Sequence, residues 1–156
     1  MAIVSKPPDP VPEVPNARYV FLAGSIDMGV AEDWQAVFEA ALADREDLVI
    51  LNPRREQWDS SWQQALSDAR FVGQVEWELA GIERADVVAM YLHPATKAPV
   101  SLLELGLVAQ QGKLVVLCPE GYHRKGNVDV VCRRYGVEQA DSFDDLVARV
   151  RRRLGR

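Results

Sequence analysis

Glu104 is the only ionisable residue in the stretch Pro99-Val-Ser-Leu-Leu-Glu-Leu-Gly-Leu-Val-Ala-Gln-Gln-Gly112. The stretch reads as one helix, apolar on nearly every face. A carboxylate in such surroundings either loses hydration, which is costly, or shifts its pKa. A residue held there usually has a task. Gly106, two positions on, removes a side chain and leaves room for another group. Strand-like runs flank the helix, Val87-Val-Ala-Met-Tyr-Leu92 before it and Leu114-Val-Val-Leu-Cys118 after it. That order places Glu104 just past the carboxyl end of a parallel strand, where open α/β sheets bind their ligands.

Glu78 is the second candidate, in Gly73-Gln-Val-Glu-Trp-Glu-Leu-Ala-Gly-Ile-Glu-Arg84. Val75, Leu79 and Ile82 mark the buried face of this helix. Glu78 borders that face, and Gly81, three positions on, leaves space. Glu76 and Glu83 point elsewhere. Taken alone, Glu78 also reads as an ordinary surface residue. Two carboxylates near a strand-end pocket suit substitution at an anomeric carbon. One attacks C1′ and forms a glycosyl ester; the other gives a proton to the leaving group and takes one from the acceptor. Asp59 and Asp86 are the alternatives for the proton role, although Asp86 also reads as a helix-to-strand turn residue.

The elements that must position these groups alternate along the chain. Tyr19-Val-Phe-Leu-Ala23 is a short apolar strand, and Gly24-Ser-Ile-Asp-Met-Gly29 a turn. A helix is expected from Ala31 to Asp44, then a strand at Leu48-Val-Ile-Leu51 stopped by Asn52-Pro53. A polar loop with Trp58 follows, then one or two helices over 61–84, the strand at 86–92 and the Glu104 helix. The next strand covers 113–118, a short helix lies near 128–135, and Val137-Glu-Gln139 is an edge-strand candidate. Ser142 reads as the N-cap of a last helix running to Leu154. This alternation predicts a single doubly wound α/β domain, flavodoxin- or Rossmann-like, over residues 18–156, with a mostly parallel sheet of about five strands. Residues 1–17 carry five prolines, at 7, 8, 10, 12 and 15, and read as a flexible arm outside the folded unit.

Composition narrows the function classes. The chain has 156 residues and a net charge of −5, which gives no electrostatic case for a nucleic acid polymer as partner. The basic run from Arg149 to Arg153 ends a helix, where positive charge complements the dipole. Two cysteines, Cys118 and Cys132, support neither a disulfide framework nor a zinc spacing. His93 and His123 are isolated from other metal ligands, so neither a metal nor a cofactor is expected. No run approaches membrane-spanning length and no signal-like apolar segment opens the chain, so the cytoplasm is the expected compartment.

The turn at Gly24 and Ser25 follows a strand and precedes a helix, a common seat for a phosphate or sugar. It also reads as a plain tight turn. Asp27, Glu32 and Asp33 place negative charge at its mouth, which favours a neutral sugar or nucleoside over a phosphate. Trp58 and Trp62 offer rings for base stacking, with core packing the alternative and the better one for Trp62. Arg54 is placed to bind a base carbonyl or to pair with Asp59. Tyr91 and His93 end a strand near Glu104.

Taken together, Phe21-Leu-Ala-Gly-Ser25, Glu78-Leu-Ala-Gly-Ile-Glu-Arg-Ala-Asp86, Leu103-Glu-Leu-Gly106 and Gln111-Gly-Lys113 resemble the nucleoside 2-deoxyribosyltransferases and the related deoxynucleoside 5′-monophosphate N-glycosidases. The resemblance runs from Tyr19 to Tyr135. It implies that Glu104 is the nucleophile carrying the deoxyribosyl group. Glu78 falls where the family usually has an Asp that handles the proton on the base. Phe21 falls where many members have a Tyr that orients the nucleophile, and Ala98 where some have a base-binding Asp. Asn127, in Gly126-Asn-Val-Asp129, resembles a segment that members lend to a neighbouring subunit; it also reads as a helix N-cap. The expected substrate contacts are Gly24, Ser25, Asn52, Arg54, Trp58, Asp59, Ser101, Asn127 and Asp129. The expected activity is transfer of a 2-deoxyribosyl group between nucleobases through a glutamyl ester, with a small-molecule deoxynucleoside and a nucleobase as partners and a homo-oligomer as the working form. An N-glycosidase, or a nucleoside- or nucleotide-sensing module without catalysis, are the alternatives.

Overall fold

The computed structural model describes residues 1–26, 32–55 and 61–155. Among these residues six strands form one sheet, in the order β1 (Ile3–Ser5), β3 (Leu48–Leu51), β2 (Arg18–Gly24), β4 (Val87–Tyr91), β5 (Leu114–Leu117), β6 (Glu138–Gln139). Every pairing is parallel. From β2 onward this is the doubly wound order in which the chain first moves one way, to β3, and then back across β2 to β4. The reversal between β2 and β4 opens the crevice in which such folds bind ligands.

The strands are apolar throughout because both faces of the sheet are covered. Tyr19, Phe21 and Ala23 of β2 face one core with Val49, Leu51, Val88, Met90, Leu114 and Val116. Val20 and Leu22 face the other with Leu48, Ile50, Val87, Ala89 and Val115. Helices α2 (Ala69–Arg84), α3 (Pro99–Val108) and α4 (Lys125–Tyr135) cover the first face. Helices α1 (Trp34–Ala41) and α5 (Phe143–Leu154) cover the second.

Local chemistry fixes the helix ends. Asp33 caps α1 through Ala36 N–H, Asp68 accepts from Arg70 and Phe71 N–H at the start of α2, and Ser142 accepts from Asp145 N–H at the start of α5. The ammonium of Lys113 donates to the carbonyls of Ile82 and Ala85 at 2.6 and 3.2 Å, closing the last turn of α2. The lysine of Gln111-Gly-Lys113 thus holds the end of the Glu78 helix.

The expected elements are present, with three differences. α1 starts later than expected, at its Asp33 cap. α4 starts earlier, and its N-cap is Arg124 rather than Asn127. The arm differs most. Ile3–Ser5, which precede the first proline, pair with β3 as an added edge strand, and Val11, Val14 and Ala17 pack against the first core. Among the described residues no helix is long and apolar enough to cross a membrane.

Candidate functional site

Glu104 lies in the second turn of α3, and its orientation inverts the ordinary rule for a surface helix. The carboxylate is buried, at 7% exposure, while Val100, Leu103 and Leu107 stand out at 56%, 66% and 48%. Ser101, one turn earlier, Leu105 and Val108 share the buried face. Glu104 makes no hydrogen bond or ion pair with any described residue. Burial pushes its carboxyl up to about 8, and the charge of Glu78 adds to the rise.

Glu78, on α2, is close enough for its charge to act on Glu104. Burial pushes Glu78 up to about 7, held back by a hydrogen bond with Gln74 and by the positive charge of Arg55. Gln74 is one turn earlier on α2 and buried. It donates to the Pro53 carbonyl at 3.1 Å and accepts from Arg55 Nε at 2.5 Å, so α2 is tied to the end of β3. Arg55 lies over the Trp62 ring, 4.6 Å from its centroid. Trp62 is therefore a half-buried platform rather than a core residue.

Phe21 explains Gly81. The ring packs against Trp77, with centroids 6.4 Å apart. A Cβ on Gly81 would lie 2.9 Å from the Phe21 ring, so the space expected beside Glu78 is filled by that ring. The space beside Gly106 is of another kind, because a Cβ there meets nothing within 4 Å. Gly106→Ala is expected to stabilise the protein by about 0.5–1 kcal/mol in urea unfolding, since alanine outranks glycine in an open helix. Activity should be retained; its loss with the fold intact would mean that a group from outside the chain uses the space.

The crevice between β2 and β4 is braced by Ser25. Its hydroxyl is 2.6 Å from that of Thr96 and accepts His93 N–H at 2.9 Å, and its own N–H donates to the Tyr91 carbonyl at 3.0 Å. The Ser25 carbonyl accepts from Trp34 Nε1 and Gln35 Nε2. Gly24, at φ +128°, is forced, because a Cβ would lie 2.2 Å from the Tyr91 carbonyl oxygen. These two residues shape the crevice with backbone and buried bonds.

The other expected contacts fall into groups. Asn52 is buried; its amide donates to Glu39 and its side-chain oxygen accepts from Arg54 N–H. The Arg54 guanidinium is 3.6 Å from Asp33 and donates to Gln35 at 3.2 Å. Tyr91 turns to the opposite core, edge-on to Trp34 and Phe143 at 5.7 and 6.1 Å. Asp129 is paired with Lys125 at 3.2 Å and accepts from Gln139, while Asn127 is exposed on the same helix. Neither bonds to the carboxylate pair. Asp86 accepts from Tyr19 N–H at 2.8 Å, at the amino ends of the strands, the wrong end of the sheet for the proton role. Trp58, Asp59 and Asp27 lie outside the described residues. Among the described residues no cluster suits a metal ion, and both cysteines are free and buried.

Gln74, Thr96 and Gln35 were not expected at the site. All three are buried polar side chains. Gln74 sits four residues before Glu78, which was the available signal; Thr96 meets Ser25 across 71 positions, which no local pattern reveals.

A family model described as nucleoside 2-deoxyribosyltransferase like matches residues 17–122. No curated protein matches the chain. Among solved structures, the crystal structure of a conserved protein from Enterococcus faecalis V583 is similar, with a TM-score of 0.61 and 15% identity over 88% of this chain and 99% of that one. At that identity the likeness concerns the fold.

Proposed function

From a chain that belongs to the nucleoside 2-deoxyribosyltransferase-like family, with a buried Glu104 carboxyl that feels the charge of a half-buried Glu78, we infer an enzyme that moves a 2-deoxyribosyl group between nucleobases. The observation that carries this is the inverted α3, which buries its single carboxylate, within reach of the charge of Glu78, while Leu103 and Leu107 face outward.

Near neutrality the coupled pair retains at least one proton. One proton on two carboxyls is what the chemistry needs. A Glu104 oxygen attacks C1′ as the C1′–N bond breaks, and its electron pair passes to the base nitrogen, which takes the proton from Glu78. The incoming base then attacks C1′, gives its proton to Glu78 and releases Glu104 as carboxylate. In the empty site Glu78 ionises first, helped by Arg55 and Gln74. Positive charge growing at C1′ in the transition state favours the ionised form of Glu104 beside it, and leaves the proton on Glu78. Burial of Glu104 keeps water from the ester, which supports transfer over hydrolysis.

kcat/KM is therefore expected to be bell-shaped, with its maximum between about pH 7 and about pH 8. Below that window both carboxyls are protonated and no nucleophile remains; above it both are ionised and no acid remains. A flat profile from pH 5 to 9 would remove the pair from the chemistry.

The deciding assay incubates the protein with deoxynucleosides, with and without a second free base, and separates the products. Exchanged nucleoside is the expected result. Free sugar would make the enzyme an N-glycosidase, and no product would favour a sensing module. Matched 5′-monophosphates should react more slowly than the nucleosides. Arg54 is committed to Asp33 and Gln35, and Arg55 to Gln74, so neither is offered to a phosphate beside Glu32. Faster turnover of the monophosphate would reverse this assignment. Self-association stays part of the proposal. It is supported by the exposed Val100, Leu103 and Leu107, flanked by exposed Glu76 and Glu83 on α2 and Arg133 and Arg134 on α4.

A further inference from the structure

Residues 1–16 lie outside the stretch that matches the family, yet they are fastened to the helix that carries Glu78. After β1 the chain crosses to α2. The Trp77 indole N–H donates to the Asp9 carbonyl at 2.7 Å. The Tyr19 hydroxyl donates to the Pro12 carbonyl at 2.7 Å and accepts Val14 N–H at 2.9 Å. Arg84, the last residue of α2, lies over the Tyr19 ring, 3.7 Å from its centroid. The Trp77 ring is buried and packs against Phe21, so it is held by the arm through its N–H and by the sheet through its face. Pro8 of the arm lines a cavity of about 340 Å³ with Arg55, Trp62, Gly73 and Trp77.

We propose that the N-terminal arm is part of the functional site: it clamps α2 through Trp77, a positioning residue, and so fixes the Glu78 carboxyl opposite Glu104. Trp77 and Glu78 are consecutive on the helix, so locking one ring sets the rotation of the turn that presents the other. The groups that act on Glu78 are Gln74 on α2 itself and Arg55 from the loop after β3, and Glu78 in turn acts on Glu104 of α3. Each depends on where α2 sits. Loosening the arm opens the Pro8 cavity to the outer side of that helix and lets water reach the carboxyl. The inference rests on Glu78 and Glu104 acting as a pair, and not on which reaction they perform.

The test uses the full chain with Trp77→Phe, Tyr19→Phe and the double variant. Each keeps a ring and removes the bonds to the arm. Three quantities are read: proteolytic cutting within residues 6–16, titration of the labelled Glu78 and Glu104 carboxyls by NMR, and the split between kcat and KM. In the double variant the arm should be cut about tenfold faster, as an opened segment is. Glu78 should titrate about one pH unit lower as water returns to it, and kcat should fall more than KM rises. The single variants should lie between, which keeps the series readable if the double variant unfolds. An arm cut faster while both carboxyls titrate as in the wild type would overturn the proposal, and so would an arm cut no faster at all. A shifted titration in a protein that turns over no nucleoside would keep the clamp and discard the reaction.

Discussion

Glu104→Gln is expected to reduce turnover by about 10⁴-fold or more, as loss of a covalent nucleophile does, and at the same time to make the protein more stable at alkaline pH. The two effects share a cause. In the fold the Glu104 carboxyl is pushed up to about 8 by burial and by Glu78; in the unfolded chain it returns to its ordinary range. Between those values the native state holds a proton that the unfolded state has lost, so stability falls as pH rises through the window. Each unit of displacement corresponds to about 1.4 kcal/mol, which makes the full effect a few kcal/mol by pH 9. Glutamine carries no charge to bury, and this loss disappears. The measurement is a pair of urea unfolding series at pH 6 and pH 9. The advantage of the variant over the wild type should be about 2–3 kcal/mol larger at pH 9 than at pH 6, because the unfolded carboxyl is ionised at both while the native one loses its proton only between them. A wild type whose stability does not fall towards pH 9 would mean that Glu104 is ionised at little cost, and that its burial has another purpose. Retained turnover in Glu104→Gln would end the ester mechanism.

This coupling of function to instability was partly legible in the sequence. A lone acid in an apolar helix pointed to Glu104, because no packing argument accounts for it. The direction of the helix was not legible: with apolar residues on all sides, the pattern of α3 has no preferred face, and only its neighbours decide that Leu103 and Leu107 face out while Leu105 faces in. The strands were readable because runs such as Val87–Tyr91 are apolar on both faces and must be central. The arm was misread because prolines report on backbone stiffness and missing N–H donors. They say nothing of Ile3–Ser5, which precede them, or of carbonyls such as those of Asp9 and Pro12, which still accept hydrogen bonds. Ser25 was found but its use was not. Its hydroxyl joins Thr96 and His93 across the crevice, and long-range polar pairs leave no periodic trace. The residue types of the carboxylate pair could be read from sequence, and their mutual influence required the fold.

Glu78→Gln should slow cleavage by about 10²- to 10⁴-fold for bases that leave poorly, and by much less for bases that leave well, because a general acid matters in proportion to the proton the leaving nitrogen requires. The position of Glu78 supports that role over a merely electrostatic one. Its carboxyl is raised to about 7 by burial and only partly lowered by Gln74 and Arg55, so it can both hold and release a proton near neutrality. The side-chain amide of the variant can keep a hydrogen bond with Gln74 while having no proton to donate. Binding should therefore change little, and the loss should fall on kcat. Loss of Glu78 also removes the neighbour that raises Glu104, so the remaining nucleophile should ionise below about 8, and the alkaline limb of the pH profile should disappear. A series of deoxynucleosides graded by leaving-group pKa reads the first effect, and the pH profile of the best substrate reads the second. Equal slowing across the series would take the proton role from Glu78. Asp86 could not inherit it from the amino end of the strands, where it accepts from Tyr19 N–H and lies 3.6 Å from Arg18. An alkaline limb that persists in the variant would show that another group supplies the acid, and the single shared proton on which the transfer depends would have to be sought elsewhere.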